Sequence, residues 1–481
     1  MDVVKGMLYS ANDLLWSYPL VLLLILVGVY FSIKTAFLQF RCFKEMWRLL
    51  KEYPRNGQGI SSFQSFSLSL ASRIGSSNIL GVALAISIGG PGAVFWMWCV
   101  AFLGMATSFA ENTLGQLYKV KDGDLYRGGT AYYIEKALGW HNYAAVFALL
   151  LITSFGVLFT LVQSNIIAQS FSMVYSLDEE WVVAFLVGII GVIIVGGLRR
   201  IVHVTEILVP FMLLIYLGVT GYIMLRNITL LPDILSLIVN NALGFRELLG
   251  GGMGIALVQG TRRGIFSNEA GTGSISSAGA SANVSHPVKQ GFIQSLGVFV
   301  DTMVVSTCTA FIILISGLYG HGVPNGILLT QASMAIHIGS LAPYLVSISL
   351  FLFSFTSVIS NYYYGESNLR FLSDKHVALQ GYRVLFLAMI VIGPFIEASF
   401  VWESIDFMIG VMMLLNAIVL LRLSPTVMIL FKDYVLQRKA GLDPVFYADD
   451  FPTITGTECW QNEIPENIDE VDDPYFKAMP Q

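Results

Sequence analysis

Long apolar blocks alternate with short polar joints along the chain. The blocks lie near 18–37, 62–87, 92–118, 142–173, 180–197, 203–225, 248–281, 290–318, 342–368, 381–400 and 402–422. Each approaches or exceeds the roughly 20 residues that a membrane-crossing helix needs, so the pattern predicts eleven transmembrane helices. Two blocks break the apolar rule. The block 62–87 contains Arg73-Ile-Gly75-Ser76-Ser77-Asn78, and 248–281 contains Gln259-Gly-Thr-Arg-Arg-Gly-Ile-Phe-Ser-Asn-Glu-Ala-Gly-Thr-Gly273. Charge and irregular backbone at membrane depth are tolerated only inside protein or beside water. Both blocks are therefore predicted to be broken helices at a working site.

With the first span set aside, ten remain, and the interrupted ones are first and sixth. Gly-interrupted helices at matching positions of two halves point to the substrate site of an inverted-repeat transporter. The expected architecture is an all-α polytopic membrane protein with one extra span and a 5+5 inverted-repeat core. Three regions follow: 1–60, the extra helix with an interfacial helix; 61–423, the ten-helix core; and 424–481, a cytoplasmic amphipathic segment and acidic tail.

Composition agrees with a membrane protein. Hydrophobic residues make up 55% and charged residues 12% of the 481, against roughly 25% charged in a soluble domain. The basic residues are scattered and the formal charge is -5, which argues against a nucleic-acid partner. Lys34, Arg41, Lys44, Arg48, Lys51, Arg55, Lys119, Lys121, Arg127, Lys136, Arg199 and Arg200 follow odd-numbered spans. With Arg262, Arg263, Lys289, Arg370, Lys375, Arg383, Lys432, Arg438 and Lys439 counted on the same side, Lys5, Arg226 and Arg246 stand opposite. By the positive-inside rule the N terminus is outside and the C terminus cytoplasmic. The block 18–37 is too long for a signal-peptide core and is expected to stay as an anchor. Segments 40–53 and 325–339 are expected to be an interfacial helix and a short outer helix, and the chain from Asp449 onward a disordered tail. Cys42, Cys99, Cys308 and Cys459 have no metal-ligand spacing and are expected to be packing residues or free thiols.

In the first break, glycine and serine can leave N–H groups free for a carboxylate and carbonyls free for a cation, because half-helix ends carry opposite dipole charge. A plain helix contact between small residues is the other reading. Arg73 and Glu269 need partners or water. For Glu269 these are Arg262, Arg263 or the neighbouring half-helix N terminus, with proton carriage as the alternative. Phe355-Thr356-Ser357 offers hydroxyl ligands for a hard alkali cation, although such hydroxyls commonly bond their own backbone.

The chain resembles the alanine or glycine:cation symporters. The motifs are Pro91-Gly-Ala-Val-Phe-Trp-Met-Trp98, Phe102-Leu-Gly-Met-Ala-Thr107 with Glu111, and Arg263-Gly-Ile-Phe-Ser-Asn-Glu-Ala-Gly271 with His286-Pro287 and Gln290-Gly291, within a likeness spanning 62–423. The resemblance implies the fold of the leucine and neurotransmitter transporters and sodium-coupled import of alanine, D-alanine or glycine by alternating access. It places the substrate at Gly75, Ser76, Ser77, Asn78, Gln163, Phe266, Ser267 and Asn361. Sodium would be held by the carbonyls of Ala71 and Ile74 and the hydroxyls of Thr356 and Ser357. The family usually has Gly where Ser77 stands and commonly Trp where Asn361 stands, and Asn would make the pocket larger and more polar.

Sodium is thus expected as a co-transported ion, with no cofactor, and the protein is expected in a bacterial inner membrane with lipid around it. Proton coupling is the alternative. Oligomeric state stays open. An intramembrane enzyme would need facing nucleophile–base or metal groups, and the histidines His141, His203, His286, His321, His337 and His376 form no HExxH and read as interfacial. A channel would need a filter motif, and none stands out.

Overall fold

The computed structural model describes residues 2–52, 59–244, 252–320 and 326–461. The expectations for Tyr53, Arg55, Arg246, Asn325, the start of 248–281 and the tail beyond 461 fall outside those residues. Within them the chain is almost entirely helical, with one antiparallel hairpin, Val120–Asp122 with Leu125–Arg127.

Among the described residues eight helices are long and apolar enough to cross a membrane, or nine if the bent pair Ser62–Arg73 and Ser76–Gly89 counts as one span. Two further helices, Glu179–Val195 and Gly252–Asn268, have 17 residues each. The outer-helix segment joins a span directly: Ile327–Ile338 runs through a short 3-10 turn into Ala342–Leu372. Two helices contain π-helical stretches, Ile152–Leu158 and Phe299–Ser306.

The first broken helix starts on a capping box. Ser61 Oγ accepts from Gln64 N, and Gln64 Oε1 accepts from Ser61 N, each at 3.1 Å, so two orphan N–H groups are satisfied. The helix ends at Arg73, and after the non-helical Ile74 and Gly75 a 3-10 turn leads into Leu80–Gly89 at a bend of 61°. The second broken helix ends at Asn268. Glu269, Gly271 and Gly273 then take positive φ (54°, 83° and 86°) before Ser276–Ser281 resumes. Gly273 has a second constraint, because a β-carbon there would come 2.7 Å from Thr130 Oγ1.

Ion pairs gather at two ends of the long helix Ala398–Lys439. Near its start, Arg262 pairs with Asp406 and with Glu403 (3.3 Å), and Arg263 lies 3.7 Å from Asp406. Trp16 and Asn12 of the first helix join them by bonding the Asp406 and Glu403 carbonyls. Near its end, Glu45 bonds Arg48, Arg438 and the Tyr434 hydroxyl, and Lys289 pairs with Glu52 and Asp443. Asp406 and Arg438 are separated by about 48 Å of helix at 1.5 Å per residue. Arg262 and Arg263 therefore do not belong with Lys289 and Arg438, as the charge inventory had grouped them. They sit inside the second broken helix, neutralised by carboxylates. Burial pushes the Glu45 carboxyl up, but bonds from Arg48 and Tyr434 and the charges of Arg48 and Arg438 outweigh it and hold its pKa at about 2.

The segment after Asp449 also departs from expectation, because residues 443–461 form a packed strap. Phe446 stacks on Phe451 and meets Trp460 edge-on. Trp460 Nε1 donates to Leu117 O at 3.0 Å, and Phe446 N donates to Ser285 O at 2.9 Å. Lys119 lies over the Trp460 ring and donates to Ala282 O at 2.9 Å. Composition suggested disorder, but three aromatic residues close enough to cluster bury Trp460 and Ile454.

Candidate functional site

The two breaks meet in the interior. Ser357, on Ala342–Leu372, donates to Ala71 O (2.9 Å) and Ser72 O (3.2 Å) at the end of the first half-helix. A β-carbon on Gly75 would lie 2.8 Å from Ser357 Oγ and 3.1 Å from Gln163 Nε2. The glycine, the serine and the glutamine thus pack closely around one point, and only the missing side chain permits that approach. Two polar atoms beside it, Ser76 Oγ and Gln163 Oε1, are buried without a hydrogen-bond partner. Buried polar atoms are seldom left so, and their position suits a polar ligand.

Phe266 packs 5.1 Å, ring to ring, from both Phe159 and Trp402. Phe159 lies one helical turn before Gln163 in Phe159–Tyr175. On its other side Phe266 borders a cavity of about 200 Å³, shared with Ser77, Leu80, Arg263, Trp402 and Glu403. Asn361 is buried and accepts from Ser72 Oγ at 2.8 Å.

The remaining expected residues divide. Asn78 Nδ2 and Ser267 Oγ both donate to Asp301, at 2.8 Å each, and Asn78 Oδ1 accepts from Gly75 N at 3.2 Å. Thr356 Oγ1 donates to Leu352 O and Phe353 O of its own helix, at 2.9 and 3.1 Å, and lies 3.6 Å from Met212 Sδ. Ile74 forms the end of the first half-helix. Ala71 and Ser357 are brought into contact, whereas the Thr356 hydroxyl is engaged with its own helix.

Arg73 is fully buried and bonds Asn268 O (2.9 Å), Gln294 O (3.0 Å) and Ser108 Oγ (3.1 Å), so it fastens the first break to the second. Glu269 accepts from Ser72 Oγ (2.7 Å) and Ser274 Oγ. Its partners are hydroxyls at the two breaks, whereas Arg262 and Arg263, the arginines expected to pair with it, are held by Asp406. Nearby, Glu111 Oε2 accepts from Gly271 N at 3.0 Å. Asp301 escaped the sequence reading; the available signal was an aspartate alone within the apolar block 290–318. His286 lies at a helix start as expected but is buried, capping Val288 N and meeting Asp433 at 3.1 Å.

A many-helix membrane protein with two broken helices around a buried polar pocket has the form of a secondary transporter. The chain belongs to the sodium:alanine symporter family, whose model matches residues 1–448. It is 47% identical over 455 residues to the amino-acid carrier protein AlsT of Bacillus subtilis, covering 95% of this chain and 97% of that one. It is 48% identical over 461 residues to the probable sodium/glutamine symporter GlnT of the same organism, covering 95% and 96%. The sodium/proton-dependent alanine carrier protein of Bacillus sp. strain PS3 is 35% identical over 434 residues, covering 87% and 97%. The protein is a multi-pass membrane symporter of amino acid and cation, and not an enzyme.

Proposed function

We propose that this chain imports a small neutral amino acid (alanine, D-alanine or glycine) together with sodium, by alternating access across a bacterial inner membrane. The enclosure of Gly75 by Ser357 and Gln163 carries the reading. The substrate carboxylate would take the unwound amides at Gly75–Ser77, displacing Asn78 Oδ1 from Gly75 N, where a missing side chain allows approach. Gln163 Oε1 and Ser76 Oγ would supply polar contacts, with Asn361 at the border. Phe266 would separate this pocket from the outer cavity. Sodium would bind where Ser357 Oγ meets Ala71 O, with the Ile74 carbonyl and Thr356 completing the shell. Thr356 would have to turn from its own backbone to join.

The proposed architecture has eleven spans: the nine helices or helix pairs with sufficient apolar length and the two of 17 residues. The first is an addition and ten form the inverted-repeat core of the leucine-transporter type, with the N terminus outside and the C terminus inside. The regions 1–60, 61–423 and 424–481 serve as anchor, core and cytoplasmic end.

A second reading, a longer amide cargo, is favoured by Asn361, which stands where the resembled family commonly carries Trp. A relative of 48% identity bears the name of a glutamine symporter, and proton coupling is the other option for the driving ion. Uptake of labelled amino acids into proteoliposomes, under sodium or proton gradients imposed separately, tests the function. Alanine uptake unchanged when choline replaces sodium would refute sodium coupling.

A further inference from the structure

The hairpin Val120–Asp122 with Leu125–Arg127, the start of Gly197–Arg226 and the far end of Ala342–Leu372 border another cavity, of about 240 Å³. Asp122, Arg127, Tyr363, Glu366, Arg370 and Arg383 are among its walls. Tyr363 and Glu366 are only 4% and 7% exposed. Four polar atoms of these residues make no hydrogen bond among the described residues: Tyr363 Oη, Glu366 Oε2, Arg127 Nε and Arg127 Nη1. The rest of each charged group is committed. Glu366 Oε1 accepts from Arg370 Nε at 3.2 Å, and Arg127 Nη2 pairs with Asp374 at 2.9 Å, while Arg127 Nη1 stands 3.9 Å from Asp122. Buried polar atoms are seldom left without partners, so this set calls for a ligand with both a donor and an acceptor.

The signs of charge narrow the choice. Arginines line the cavity, but Asp122 and Glu366 line it too, and Asp374 and Asp124 pair with Arg127 and Arg199. A phosphate dianion would face these carboxylates, and a simple amine would face the arginines. A zwitterion satisfies both: its carboxylate takes the free edge of the Arg127 guanidinium, a fork suited to carboxylates, and its ammonium takes Glu366 Oε2, with Tyr363 Oη able to donate or accept. The volume lies below the roughly 300–1,000 Å³ of pockets for drug-sized ligands, which suits a small molecule. Along Ala342–Leu372, Glu366 stands about 8 Å beyond Asn361 and about 14 Å beyond Ser357 at 1.5 Å per residue.

We propose that Arg127, Tyr363 and Glu366 form a second amino-acid site, which holds the zwitterion after it leaves the breaks, on the side that the proposed orientation makes cytoplasmic. The inference rests on the reading of the breaks as the first amino-acid site.

The test is equilibrium dialysis of labelled alanine against the purified full-length protein in sodium. The wild type should bind two alanines per chain, the second more weakly. Tyr363→Phe removes a hydroxyl that bonds nothing, so the fold loses no contact, and it should weaken the second site several-fold. Glu366→Gln keeps the size without the charge and should weaken it at least tenfold; both variants should leave the first site unchanged. Gly75→Leu, which fills the first site, should keep only the weak one. One alanine per chain in the wild type, lost in Gly75→Leu, would overturn the inference and leave the first site standing. Two alanines held with wild-type affinities in both Tyr363→Phe and Glu366→Gln would do the same. A zwitterionic headgroup shares this chemistry, so the dialysis is repeated with added phosphatidylethanolamine; a weak site that alanine fills only when that lipid is stripped away would belong to the headgroup and overturn the inference. A wild type that binds no alanine would overturn both sites.

Discussion

Gly75 and Ser357 stand so close that a β-carbon on the glycine would come 2.8 Å from the serine Oγ, while the Ser357 Cβ would be 3.8 Å away. The clash is thus with one hydroxyl, although Gln163 is also near. Gly75→Ala should lower alanine uptake by at least tenfold in protein that still reaches the membrane. Adding Ser357→Ala should recover part of the alanine binding, at the expense of sodium affinity. Binding of labelled alanine to the purified single and double variants checks both; wild-type affinity in Gly75→Ala would show that the pocket lies elsewhere.

Ser357 and Thr356 are adjacent but face different partners, one the first break and the other its own helix. Ser357→Ala should raise half-saturating sodium more than Thr356→Ala does. Sodium titrations of uptake rank the two, and equal responses would count against a site built on Ala71 and Ser357.

Asn361→Trp should narrow the accepted cargo toward glycine and alanine, since an indole fills the space a longer side chain would need. Competition by a graded series of amino acids measures it. An unchanged profile would place Asn361 away from the substrate, engaged only with Ser72.

Asp406→Asn leaves Arg262 and Arg263 without their common partner in the interior. Breaking a buried pair costs about 3–5 kcal/mol, and the melting temperature in detergent should fall clearly. Trp460→Ala should cost about 3 kcal/mol as well, and should expose the strap 443–461 to protease.

Glu45, partly buried near the end of the long helix, supplies a pH dependence. Its pKa is held at about 2, below the ordinary 4.5. The resulting stabilisation is therefore present above pH 4.5 and is lost as pH falls from there toward 2. Melting curves of the wild type should drop over that window more steeply than those of Glu45→Gln, which should already be less stable at pH 7.

The sequence by itself determined the membrane class, most helix positions and both breaks. Apolar length and glycine, serine and charge inside an apolar block are local properties that the bilayer forces on any chain. The family motifs, too, are strings of adjacent residues. Partnership was another matter. Asn78, Ser267 and Asp301 are up to 223 positions apart, so no spacing rule links them. The π-helical turn that aims Asp301 has the same apolar composition as its neighbours. Arg262 and Arg263 were legible as charges inside a broken helix, but their partner was expected to be Glu269, and only packing against Asp406 reveals the true one. The strap reads as polar and Pro-containing along the chain, yet Phe446, Phe451 and Trp460 acquire a core when the end of Gly92–Leu117 lies beneath them. Hydropathy records what a segment avoids, whereas which buried charge meets which oxygen depends on where distant helices cross, and tertiary structure alone decided that.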